Sequence, residues 1–87
     1  MSFPSHIWSQ IKNLRKKDFI KALERDGWLR DPASKGAELV YLKEGTPAKR
    51  IVVHYHPQQT LGPKILTALI ADTGWNEDDL RRVGLIR

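Results

Sequence analysis

The residues best equipped for chemistry gather at the end of one β-branched run, Lys49-Arg50-Ile51-Val52-Val53-His54-Tyr55-His56-Pro57. Imidazole has an unperturbed pKa of about 6.5, so His54 and His56 can each give or take a proton near neutral pH. Arg50 stands beside them, and Lys49, Lys64 and Lys35 are further cations able to hold a phosphate. Lys64 follows Gly62-Pro63, a helix start whose exposed N–H groups also favour anions. Two histidines also raise the question of a metal, but a zinc site needs at least three protein ligands. The chain has no cysteine, no Asp or Glu lies close enough in sequence to be a recognisable third ligand, and His6 is distant. No metal or other cofactor is therefore expected. Two readings stay open: a pair of solvated rings at a half-wet strand end, or acid–base work such as cleavage of RNA. In that reaction a ribose 2′-hydroxyl loses a proton and the leaving oxygen gains one.

The elements around these residues decide which way they point. Side chains alternate along a strand, so Ile51, Val53 and Tyr55 share the face expected to enter the core. Arg50, Val52, His54 and His56 share the opposite face, with the two histidine Cα atoms roughly 6.6 Å apart at two residues of strand rise. This strand is expected from Lys49 to about His56, with Pro57 ending it. Glu44 to Ala48 reads as a hairpin loop joining it to a strand from Ala37 to Lys43, and Pro32 to Gly36 as a turn-rich connection back to a short strand at Trp28 to Asp31.

Helical spacing brackets the strands. Ile7, Ile11 and Leu14 predict a short first helix capped by Ser5, and Phe19, Ile20 and Leu23 a helix from Asp18 to Asp26 that Gly27 closes. Pro63 opens a helix with the apolar stripe Ile65, Leu66, Leu69 and Ile70, closed by Gly74. Asn76 caps a last helix through Val83, with Glu77, Asp78 and Asp79 at its positive end and Arg81 and Arg82 at its negative end. Leu85-Ile86-Arg87 is expected to pack back on the body. The echo of Asp26-Gly27-Trp28 in Thr73-Gly74-Trp75 reads as two glycine-closed helices that each send a tryptophan inward, not as a repeat. The predicted fold is α+β: helix, three antiparallel strands, helix, with a short extra helix at each end. The helices should cover one sheet face and leave the other to carry any function.

With 87 residues the chain is expected to be a single domain, residues 1–87, with a compact core. Fifteen Lys and Arg against ten Asp and Glu give a formal charge of +5, which favours anionic partners such as nucleic acid or an acidic protein. No apolar run approaches the roughly 20 residues that span a bilayer, and Met1 to His6 lacks the order of a signal peptide. Together with the absence of cysteine, this sets the cytoplasm as the expected location, with no membrane partner.

The pattern from about Lys17 to Gly74 resembles the HicA family of small toxins. The resemblance rests on Asp18-Phe19-Ile20-Lys21-Ala22-Leu23-Glu24-Arg25-Asp26-Gly27-Trp28, on Lys35-Gly36-Ala37-Glu38-Leu39-Val40-Tyr41, and on the histidine strand followed by Gly62-Pro63-Lys64-Ile65-Leu66. It implies a fold like a double-stranded-RNA-binding domain, a messenger-RNA-cleaving ribonuclease activity and neutralisation by a HicB antitoxin. One departure matters. The family's glycine, serine, histidine before the second strand's apolar residues, with its catalytic histidine, is replaced by Gly36, Ala37 and Glu38. After the third strand the family places proline, a variable residue and histidine, so His56 matches the family histidine and His54 stands where proline is usual.

Three outcomes follow from the resemblance. Glu38 takes the base role, since a carboxylate can also accept the 2′-hydroxyl proton; or His54 or His56 assumes it from the neighbouring strand; or the chain binds RNA or a protein without cutting. Glu38 is expected to point outward near its strand end.

Overall fold

The computed structural model describes residues 3–45, 47–54 and 59–87. Its elements run α1 (Ser5–Ile11), α2 (Lys16–Arg25), β1 (Leu29–Arg30), β2 (Glu38–Lys43), β3 (Lys49–His54), α3 (Pro63–Thr73) and α4 (Glu77–Arg82). The strands form one antiparallel sheet in the order β1-β2-β3. The α+β architecture expected from the sequence is the one observed.

Alternation decides the two sheet faces. Leu39 and Tyr41 of β2 lie opposite Val53 and Ile51 of β3, and all four join the core. Against them pack Ile7 and Ile11 from α1, Phe19, Ala22 and Leu23 from α2, Leu66 and Ile70 from α3, and Leu80 from α4. All four helices therefore serve the same sheet face. Complete burial of each such aliphatic or aromatic side chain contributes about 1.5–3 kcal/mol relative to exposure, so truncating Phe19 at the centre would cost about 3–5 kcal/mol.

Helix boundaries differ from the sequence expectation where backbone groups, not side chains, start the helix. Pro4 rather than Ser5 precedes α1, because the Pro4 carbonyl accepts from the N–H groups of Ile7 at 3.0 Å and Trp8 at 3.1 Å. The helix closes at Ile11, and Leu14 packs on the core from the turn that follows. α2 starts at Lys16, two residues before Asp18, because the Arg15 carbonyl takes the Asp18 and Phe19 N–H groups. α3 and α4 begin where proline and asparagine place them. Asn76 accepts from the Asp79 N–H while the Asp79 carboxylate accepts from the Asn76 N–H, a reciprocal capping box.

The two Gly-Trp junctions converge on a single carboxylate. Trp28 and Trp75 are both buried, and both indole N–H groups donate to Asp26 Oδ2, at 3.0 and 2.9 Å. Lys43 Nζ reaches the same oxygen at 2.7 Å and an Arg82 N–H reaches Oδ1 at 2.6 Å. Burial would push the Asp26 carboxyl up, but the hydrogen bonds from Lys43, Trp75, Arg82 and Trp28 hold it far below the usual carboxylate range. This knot ties the end of α2 to β2, α4 and the α3–α4 junction.

Candidate acid–base site on the open sheet face

Glu38, Val40 and Leu42 of β2 lie opposite His54, Val52 and Arg50 of β3, so these six residues occupy the face away from the helices. Leu29 of β1, opposite Leu42, continues that face. Glu38, Arg50 and His54 are exposed, as expected. Directly opposite residues on an antiparallel pair have Cβ atoms about 4.5–5.5 Å apart, which puts the Glu38 carboxylate and the His54 imidazole within reach of one substrate atom.

A third charged residue joins this row from the β1–β2 connection. Lys35 and Glu38 exchange backbone hydrogen bonds, Lys35 N–H to the Glu38 carbonyl at 3.2 Å and Glu38 N–H to the Lys35 carbonyl at 3.0 Å. Gly36 and Ala37 form the two-residue turn between them. Gly36, at φ 55°, takes the first central position, where the left-handed backbone of a tight hairpin turn favours glycine. Opposite residues share a face, so Lys35, Glu38 and His54 stand in sequence across three neighbouring backbone segments: cation, carboxylate, imidazole.

Beside the row lies a hollow of about 250 Å³ bordered by Asp31, Ala33, Ser34, Lys35, Glu38, Val40 and Arg50. The open face is thus partly overlain by the connection, and Val40 is buried apart from the main core cluster. The Arg50 guanidinium, the Lys35 ammonium and the Asp31 and Glu38 carboxylates border the hollow, and the His54 imidazole stands beside Glu38 on the next strand, a set that can hold a phosphodiester and move protons at its oxygens.

Other sequence candidates fall elsewhere. Lys49 lies on the helix-facing side of β3, and its Nζ donates to the Thr73 carbonyl at 3.1 Å, satisfying the C-terminal end of α3. Lys64 is exposed on a separate element, in the first turn of α3. His56, with Tyr55 and Pro57, lies outside the described residues. Among the described residues no group of three or more His, Cys, Asp or Glu is placed to hold a metal ion.

Sequence reasoning missed Ser34, whose hydroxyl accepts from the Val40 N–H at 2.9 Å and donates to the Asp31 carbonyl at 2.7 Å. The available signal was Asp31-Pro32, a turn-initiating pair, with a hydroxyl three residues after the aspartate. The Ala33 N–H donates to Asp31 Oδ1 at 2.9 Å, the side-chain-to-backbone turn such an aspartate makes.

Compared with known proteins, residues 17–75 match the family model for the HicA toxin of bacterial toxin-antitoxin. The matched span runs from the second residue of α2 to Trp75, two residues past α3, and includes the whole sheet with Lys35, Glu38, Arg50 and His54. No curated protein and no solved structure matches the chain.

Proposed function

The chain belongs to the HicA toxin family, and from that premise we propose that it is a ribonuclease that cuts messenger RNA on the open sheet face. Membership makes it the toxin of a toxin-antitoxin pair with a cognate antitoxin as partner. A HicB-like protein as that antitoxin, RNA as substrate and the cytoplasm as the site of action belong to the proposal.

The row Lys35–Glu38–His54 carries this reading. Glu38 occupies the position of the family's histidine. Glu38 accepts the proton of a ribose 2′-hydroxyl, and the freed oxygen attacks the adjacent phosphorus. The bond from phosphorus to the 5′-oxygen breaks, and protonated His54 gives its proton to that oxygen. The products are a 2′,3′-cyclic phosphate and a 5′-hydroxyl end. Lys35 and Arg50 balance the charge that gathers on the non-bridging oxygens, with Lys64 as a further contact along the RNA. His56 remains the second imidazole proposed from the sequence. The scheme uses no metal ion, because proton transfer and charge stabilisation are both assigned to side chains.

The test is induced expression and purified-protein cleavage with His54→Ala. A positioned acid or base contributes about 10² to 10⁴ in rate, so cleavage should fall by that factor and growth arrest should be lost, with chelator leaving wild-type cleavage intact. Undiminished cleavage by the variant would remove His54 from the mechanism.

A second reading rests on a different observation of the same face. Leu29 and Leu42 are 68% and 40% exposed and lie directly opposite each other beside Arg50. Adjacent exposed leucines suit a protein partner. This favours the alternative of a non-catalytic RNA-binding or protein-interaction domain if wild-type protein leaves RNA intact. Under the ribonuclease reading the same leucines serve the antitoxin.

A further inference from the structure

β1 is only two residues long and leaves β2 at Arg30, so the central strand loses its neighbour before it reaches Glu38. Three substitutes then take over the vacated edge. The Asp31 N–H donates to the Val40 carbonyl at 2.8 Å, the Ser34 hydroxyl accepts from the Val40 N–H, and Lys35 pairs with Glu38. Ser34 Oγ occupies the place where the carbonyl of a continued β1 would stand. Its own proton goes to the Asp31 carbonyl, which also accepts the Ser34 N–H at 3.0 Å, so the hydroxyl ties both ends of the connection to the strand. A buried strand N–H without an acceptor is costly, which gives this single oxygen leverage on the connection's position.

We propose that Ser34 is a positioning residue: its hydroxyl holds the Lys35–Glu38 turn against β2 and so sets the Lys35–Glu38–His54 row in line. The site's register is fixed by a side chain standing in for a missing strand. Ser34 itself touches no reacting atom. Its catalytic consequence rests on the ribonuclease reading above, whereas its effect on the turn does not.

The experiment is amide hydrogen exchange by NMR on the full chain, wild type against Ser34→Ala and Ser34→Thr, followed by RNA cleavage with the same proteins. Ser34→Ala should speed exchange at the Val40 and Glu38 amides about fivefold or more, the factor that corresponds to one net hydrogen bond. The Leu23 and Leu66 amides should remain as slow as in wild type, and Ser34→Thr, which keeps the hydroxyl, should restore Val40 and Glu38. In cleavage, Ser34→Ala should lower kcat about tenfold with little change in KM, again restored by threonine, as expected for misaligned groups that still bind substrate. Unchanged exchange at Glu38 would overturn the proposal, as would equal acceleration at Leu23 and Leu66, because the hydroxyl would then support the whole fold. Altered exchange with unchanged kcat would overturn its catalytic consequence. Should wild-type protein cut no RNA, the ribonuclease reading fails, and the exchange result still decides what Ser34 does.

Discussion

Glu38 is the residue proposed above as the base, and it is exposed, so changes there separate chemistry from folding. Glu38→Gln keeps size and hydrogen bonding but removes the base, and cleavage should fall by about 10² to 10⁴. Glu38→His should recover much of that loss, because an imidazole at the same point can accept the proton near neutral pH. Neither change should move the denaturation midpoint by more than the equivalent of about 0.5 kcal/mol, since exposed sites without a special backbone role tolerate substitution. Equal, full activity of the glutamine variant would assign the base role to another group. The candidates at this scale were legible as residue types: His54, Arg50 and Glu38 were read from sequence and lie on one face. Lys49, a phosphate candidate by residue type, donates from its Nζ to the Thr73 carbonyl at the end of α3. Alternation alone gives residue 49 the opposite strand parity from Arg50, but only the packing of α3 against β3 reveals which carbonyl its ammonium meets.

At the scale of elements, the clearest correspondences are those where a local rule acts alone. Pro63 and Asn76 start α3 and α4, and Gly74, at φ 76°, closes α3 as a left-handed residue should. The cap on α4 is a direct test. Asn76→Ala removes the acceptor for the Asp79 N–H, leaving it unpaired, and should cost about 1 kcal/mol in urea unfolding. A midpoint equal to wild type would mean that packing of Leu80 alone holds this helix. Where rules compete, the sequence reading drifted. Ser5 was the better side-chain cap, yet the Pro4 carbonyl starts α1, and Gly36-Ala37 is a tight turn between Lys35 and Glu38 although Ala37 reads as strand. The strand cannot begin before the turn that reverses the chain, and pairing partners across that turn are not marked by residue type.

The whole molecule is held by a feature that no local window contains. Asp26, with its side chain 5% exposed, receives Lys43 from β2, Arg82 from α4 and both tryptophan N–H groups. Its carboxyl is held far below its unfolded value of about 3.9. A group depressed in the folded state binds its proton more readily when unfolded, so its stabilisation is complete well above pH 4 and is lost as pH falls below it. Asp26→Asn should therefore cost about 2–3 kcal/mol at neutral pH, the loss of charge-assisted bonds, measured by urea denaturation. The gap between variant and wild type should narrow as the pH is lowered from 5 toward 2. A gap independent of pH would show that the amide fails by packing and not by charge. No described helix is long and apolar enough to cross a membrane.

The sequence by itself determined the element order, the helix-facing stripe of the sheet and the outward aim of Arg50 and His54, because periodicity and alternation are properties of a single segment. It also carried the family resemblance that the match over residues 17–75 bears out. Only the tertiary structure decided that Lys35, Glu38 and His54 share a row, that Ser34 replaces a strand at its edge and that two tryptophans close on Asp26. Each depends on the register between segments far apart in the chain or on a turn that brings a loop against a strand. Such relations are set by the free energy of packing the whole domain, which no single stretch of residues encodes.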